Sequence, residues 1–253
     1  MLRKLVTTQV HSTTDIRDFF DDCAHAYSEQ HGHPERLFNY RIALIRQYAK
    51  PCNDDVVMDV GCGNGHHLLA LAGEIGRGIG VDLSPAMIEV ARARMRNSPW
   101  QGKLAFLSGD AEQLSAPAER SIDLAMCVGA LEHMLNKSDV LVSAYRMIKP
   151  RGRFFCLTIN GGYVWYRVLA PLLGLETKHL STDKFLKRDE LVRMLTESGF
   201  RRIQVGYWTF IPKGDMSPVL GFICHGLDII GRILRINSLR GGLWICAWKE
   251  ERE

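Results

Sequence analysis

Residues 56–65 read VVMDVGCGNG, and the rest of the architecture is read outward from them. Val56 to Val60 is a short apolar run. Glycine then stands at every second position, Gly61, Gly63 and Gly65, and the apolar-periodic LLALAGEI follows from Leu68. This is the pattern of a strand, a glycine turn and a helix. Downstream, GIGVD at Gly78 to Asp82 repeats the strand pattern, and Ser84-Pro85 opens a helix through AMIEVARARM, with Ser84 as N-cap and Pro85 in the first turn. Leu104 to Leu107, Ile122 to Val128 and Arg153 to Ile159 are further strand candidates, with a helix from about Ser138 to Ile148 before the last. A helix at Arg188 to Ser198 stopped by Gly199, a strand near Ile203 to Ile211 and a final strand Leu243 to Trp248 follow. Strands separated by helix-length segments require right-handed parallel crossovers. We therefore expect an α/β chain with a doubly wound sheet and helices on both faces.

The 253 residues, 46% hydrophobic and 24% charged, suffice for one large core, so a single domain over residues 1–253 is expected. Lys and Arg exceed Asp and Glu by only 32 to 28, too small a surplus to call for a nucleic-acid partner. The N-terminus MLRKLVTTQVHSTTD has no apolar core of a signal peptide, and no run of about 18 uncharged apolar residues occurs. A cytoplasmic location is expected. The seven cysteines are odd in number and form no C-x-x-C pair, which favours buried reduced thiols over disulfides or structural zinc.

Three glycines past the first strand let a ligand approach the main chain closely, and a nucleotide-like molecule fits such a turn. The pyrophosphate-binding spacing G-x-G-x-x-G requires glycine or alanine at position 66, where His66 stands, and this argues against NAD. Asp82 ends the second strand, where a carboxylate can accept from both ribose hydroxyls. Gly109-Asp110-Ala111-Glu112 follows the third, where a carboxylate can accept from an exocyclic adenine amine.

In combination, Asp59-x-Gly-x-Gly-x-Gly, Asp82, Gly109-Asp110-Ala111 and Cys127-Val128 at the end of the fourth strand resemble the class I S-adenosylmethionine-dependent methyltransferases over about residues 15 to 212. The resemblance implies a Rossmann-like seven-stranded sheet whose last strand is antiparallel. It gives Gly61 and Gly63, with Cys62 between them, to the methionine part of the cofactor. Asp82 and the neighbouring Leu83 fall to the ribose side, Asp110 and the Ala111 amide to the adenine, and Cys127 to the region of the sulfonium. Asp59 would orient the glycine loop or reach the cofactor amine. Within the class, Phe20-Asp21 to Tyr27, Asn39-Tyr40-Arg41, Leu131-Glu132-His133-Met134 and Lys149-Pro150-Arg151-Gly152 leading to Thr158-Ile159-Asn160 are similar to the ubiquinone-biosynthesis O-methyltransferases. That likeness puts Tyr27 on an N-terminal helical lid over residues 15–50 and pairs Arg41 with the cofactor carboxylate. It departs at Gly129, where those enzymes carry an acidic residue associated with a divalent metal, so no metal is expected here.

Methyl transfer to a hydroxyl needs alignment and a base. His133, just beyond the fourth strand, is the candidate, with His31 and His33 on the lid side as alternatives. His66 and His67 open the first helix, where a cation is disfavoured, and read as neutral and structural. Ligands of a doubly wound sheet bind beyond the carboxyl ends of its parallel strands. Two insertions leave such ends, residues 161–187 and 213–240. Both are expected to meet over the mouth of the site, with His31, Tyr163, Trp165 and Phe222 touching the acceptor. In the second, Val219, Phe222, Ile223, Leu227, Ile230 and Leu234 share helical spacing. Such a helix either covers the protein's own core or lies at an apolar interface. The expected activity is transfer from S-adenosylmethionine, leaving S-adenosylhomocysteine, to a lipophilic small-molecule acceptor, most simply a hydroxyl, with peripheral membrane contact as an accompaniment. Transfer to carbon or nitrogen of a lipid or natural product, and a binding module without turnover, are the alternatives.

Overall fold

The computed structural model describes residues 7–25, 34–115, 118–209 and 218–251. Tyr27, His31 and His33 lie outside them. Seven strands, β1 (Val56–Val60), β2 (Arg77–Asp82), β3 (Leu104–Ser108), β4 (Ile122–Val128), β5 (Ile148–Ile159), β6 (Arg201–Trp208) and β7 (Gly242–Trp248), form one sheet in the order β3-β2-β1-β4-β5-β7-β6. β1 to β5 pair in parallel, and β7 is antiparallel to both β5 and β6. The doubly wound sheet with an antiparallel last strand is therefore as expected. Strand order reverses between β1 and β4, and a crevice opens at their carboxyl ends.

The helices are α1 (Thr13–Cys23), α2 (Pro34–Leu44), α3 (His66–Leu71), α4 (Pro85–Arg96), α5 (Lys137–Met147), α6 (Ala170–Leu172), α7 (Arg188–Glu197) and α8 (Pro218–Ile233). They cover the sheet on both faces, which is why β4 reads as a continuous apolar run. Leu124, Met126 and Val128 join the core on one face, while Ala125 and Cys127 join the other with Leu141, Ala144 and Leu191 of α5 and α7.

Two strands, β5 and β6, differ from the sequence reading by more than one residue. β5 begins at Ile148 rather than Arg153, because Arg151 adopts φ 64° and the ladder slips from the pair Ile122–Ile148 to Leu124–Arg153. Its early part stays tied to the sheet by Arg151 N–H donating to the Lys249 carbonyl at 2.8 Å. β6 starts two residues early and ends at Trp208, whose indole donates to the Leu243 carbonyl at 2.9 Å. Residues 210–217 lie outside the described residues, Ile211 among them.

Two N-terminal pieces lie at the sheet's carboxyl edge. α1 opens with a capping box of Ser12 and Asp15. Its Asp21 carboxylate accepts from the Ser84 hydroxyl and from Ala86 N–H at 3.1 Å, so α1 is latched to the start of α4. Ahead of it, Thr8 bridges Leu180 in parallel fashion, fastening the chain around residues 179–181 to the segment before α1. The two insertions meet each other: Tyr163, Trp165 and Ala170 pack with Cys224 in a small core of their own, and the Tyr163 hydroxyl donates to the Cys224 carbonyl at 3.0 Å.

Candidate active site

The glycine turn after β1 folds back over β2, with Gly61 and Cys62 N–H both donating to the Val81 carbonyl at 2.8 and 3.1 Å. Gly61 has φ 74° and no room for a side chain, since an added Cβ would lie 2.5 Å from that of Ala130. Gly63 has φ 51°, and its missing Cβ would meet nothing within 4 Å, so this part of the loop faces open space. That space is a cavity of about 490 Å³ over the carboxyl ends of β1, β2 and β4.

Asp82 lines the cavity and organises the loop: one oxygen accepts from Gly63 N–H at 2.7 Å and the other from Ser84 N–H at 3.0 Å. Burial raises its carboxyl above the ordinary value, and those two N–H groups counter the rise. The Leu83 N–H lowers it as well, and the acceptor capacity that remains on the carboxylate is left for a ligand. Leu83 and Cys62 line the same wall. Opposite, Asp110 caps the short turn Ala111–Gln113 by accepting from Glu112 N–H at 2.9 Å, and Asp110 and Ala111 both face the cavity. Arg41 enters from α2 and lays its guanidinium where a side chain at Gly129 would stand, 2.9 Å from the ideal Cβ position.

Asp59 is buried beneath this wall, and among the described residues neither of its oxygens has a hydrogen-bond partner. Desolvation, and then the charge of Asp82, push its carboxyl up to about 8. His66 and His67 line the cavity against Phe38 and are pushed down to about 4 and about 3, each mainly by burial and then by Arg94 and Arg41 respectively. Both are neutral at physiological pH.

His133 stands on the short turn Leu131–His133 after β4, with its ring on the cavity. Its Nδ1 lies 2.7 Å from Oδ1 of Asp183, a fully buried carboxylate whose other oxygen accepts from His179 and Leu180 N–H at 3.0 and 3.1 Å. Burial pushes Asp183 upward, but the imidazole and the two N–H groups outweigh it and hold the carboxyl below the usual range. An ionised Asp183 accepts from Nδ1–H and so orients the ring, with Nε2 as the nitrogen not held by the carboxylate. Glu132 turns inward and accepts from the Thr158 hydroxyl at 2.9 Å. Around His133 the wall is apolar, with Ile16 and Phe20 of α1 and Met134 and Leu135 beyond the turn.

The structure thus gathers Arg41, Gly61, Cys62, Gly63, Asp82, Leu83, Asp110, Ala111 and His133 around one cavity. Cys127 stands apart: it is fully buried against Cys156, and Val128 and Gly129 reach the cavity instead. Tyr163 and Trp165 are buried in the small core between the insertions, and Phe222 is 80% exposed, so none of the three lines the cavity as expected. Among the described residues, the insertions reach the cavity only through Asp183 behind His133. Sequence reasoning missed Asp183, Phe38 and Leu135. Asp183 carries no local signal, being fifty residues from His133.

The methyltransferase domain family matches residues 58–156. The chain is similar to a ubiquinone biosynthesis O-methyltransferase of Thiobacillus denitrificans, at 31% identity over 163 residues, 62% of this chain and 68% of that one. It is also similar to a demethylmenaquinone methyltransferase of Symbiobacterium thermophilum, at 27% identity over 216 residues, 73% and 84% of the two chains. A phosphoethanolamine N-methyltransferase 2 of Haemonchus contortus, solved with S-adenosyl-L-methionine, shares the fold with a TM-score of 0.67 at 17% identity, covering 96% of this chain and 61% of that one.

Proposed function

Because the chain belongs to the class I S-adenosylmethionine-dependent methyltransferases, we propose that it moves a methyl group to a hydroxyl of a lipophilic small molecule of quinone type. The observation that carries this reading is the His133–Asp183 pair facing the apolar lobe of the cavity. A base is needed only when the accepting atom carries a proton that must leave. S-adenosylmethionine supplies an electrophilic methyl on a sulfonium. The residues present suit its parts: Asp82 for the ribose hydroxyls, Asp110 and the Ala111 amide for the adenine, Arg41 for the carboxylate, and the open face of Gly63 for the methionine chain. The orphaned Asp59 oxygens beneath the loop suit a cationic ligand.

In this reading the acceptor lies between α1 and the His133 turn, against Ile16, Phe20, Met134 and Leu135. His133 Nε2 takes the hydroxyl proton while Asp183 keeps the ring oriented, and the α1 lid excludes water. Asp82→Ala is expected to weaken cofactor binding by roughly 1 to 3 kcal/mol, since it removes charged acceptors and frees the Gly63 N–H. Isothermal calorimetry on the folded variant checks this, and an unchanged affinity removes Asp82 from the cofactor site.

The reading itself is tested by incubating the enzyme with methyl-labelled cofactor and a lipid extract, followed by mass identification of what gains the label. Label on a phenolic or enolic oxygen supports it. Label on carbon or nitrogen moves the assignment to those acceptors, and binding of cofactor without transfer to any fraction reduces the chain to a binding module.

A further inference from the structure

α8 is turned inside out. Its residues advance by about 100° each, so Val219, Phe222, Ile223, Ile230 and Ile233 fall within one stripe about 100° wide. All five are exposed, Phe222 by 80% and Val219 and Ile233 by 69%. The opposite face, toward the protein, presents Gly221, Cys224, Asp228 and Gly231, all buried. That inward face is firmly seated. Asp228 accepts from Gly241 N–H at 2.8 Å and from Arg240 at 3.3 Å, Tyr163 holds the Cys224 carbonyl, and a Cβ on Gly231 would come within 2.6 Å of Leu239. A surface helix of a water-soluble domain has the reverse pattern, with its apolar stripe on the core. An exposed apolar stripe of this kind marks a docking face.

The charges around the stripe favour one occupant. At the carboxyl end of α8 Arg232 and Arg235 are exposed, whereas the acidic residue of α8, Asp228, is buried and paired with Arg240. Sixteen residues of helix extend about 24 Å, short of the roughly 30 Å hydrocarbon layer, so α8 suits an orientation in the interface plane. Among the described residues no helix is long and apolar enough to cross a membrane. A second copy of this chain would bring the same arginines together, which like-charge repulsion opposes. We infer that the outer face of α8 docks on an anionic phospholipid surface, with its aliphatic and phenyl side chains among the acyl chains and its arginines among the headgroup phosphates. The inference stands on the exposed stripe and its charges, whatever atom receives the methyl group.

Co-sedimentation with vesicles of phosphatidylcholine alone, and of phosphatidylcholine mixed in equal parts with phosphatidylglycerol, tests it. The intact chain is expected to sediment with the mixed vesicles and to be released by salt, as screening weakens the headgroup attraction. The double variant Phe222→Asp, Ile230→Asp should lose about tenfold or more of vesicle affinity. Both positions are exposed, so its circular dichroism and thermal midpoint should match the wild type. Arg232→Gln with Arg235→Gln should erase the preference for phosphatidylglycerol. Failure to sediment with either vesicle, or vesicle binding unchanged in the Asp variant, overturns the inference. A dimer in analytical ultracentrifugation that the Asp variant dissociates assigns the face to a second copy instead. Neither result bears on the labelled-methyl experiment.

Discussion

His133→Ala is expected to lower turnover by about 10²- to 10⁴-fold while leaving cofactor affinity within about twofold if, as proposed, the imidazole is the base that takes the acceptor's proton and makes no contact with the cofactor. Asp183→Asn keeps the size of its partner but loses the charge that holds the Nδ1–H tautomer. It should cost about tenfold to a hundredfold in kcat with little change in KM. The two groups act as a unit, so the double variant should lose no more than His133→Ala alone, a non-additivity that a merely structural Asp183 would not produce. Added imidazole should restore part of the activity of His133→Ala and none of that lost in Asp183→Asn. Full turnover in His133→Ala removes it as base. Additive losses in the double variant would return Asp183 to the role of holding the 179–183 turn, where it already caps His179 and Leu180.

The parallel half of the sheet was legible because its strands are buried on both faces and its turns carry their own chemistry. Val56 to Val60, the glycine turn and the Ser84 cap each specify a local conformation that the tertiary structure keeps. The errors are of parity and partnership. Cys127 was placed at the cavity, but alternation along β4 sends its side chain into the core with Cys156, and the cavity is met one residue later. A strand position one residue off changes face, and nothing local in the sequence marks the last residue before the turn. His133 was legible as a group at a strand end, whereas its partner arrives from an insertion fifty residues away through the Thr8–Leu180 bridge. For α8 the apolar period correctly grouped Val219, Phe222, Ile223 and Ile230 on one side. It could not say which side faces the body, a choice made by Gly221, Cys224, Asp228 and Gly231, small or hydrogen-bonded groups that permit close approach.

Asp59→Asn should make the cofactor-free protein more stable and a poorer binder. The folded carboxyl lies near 8 against an ordinary 3.8, raised mainly by burial and then by Asp82, and neither oxygen is hydrogen-bonded. Between those two values the folded state holds a proton that the unfolded chain has released. The stability of the wild type therefore falls as pH rises from about 4 to about 8. The gap corresponds to roughly 6 kcal/mol at most, and relaxation of the loop and local water reduce it. We expect about 2 kcal/mol, or roughly 4 to 8 °C in the thermal midpoint, in favour of the Asn variant near pH 8, and no difference near pH 4. Binding should move the other way. If the cofactor lies over the loop as proposed, its sulfonium and ammonium charges would favour ionised Asp59, so wild-type cofactor affinity should rise between about pH 6 and pH 8 with release of a proton, while the Asn variant binds more weakly and without that pH dependence. Thermal scans at both pH values check the stability, and calorimetry in buffers of different ionisation enthalpy checks the proton. A variant that is less stable at neutral pH would show that Asp59 has a partner in solution, and unchanged binding would limit it to shaping the turn.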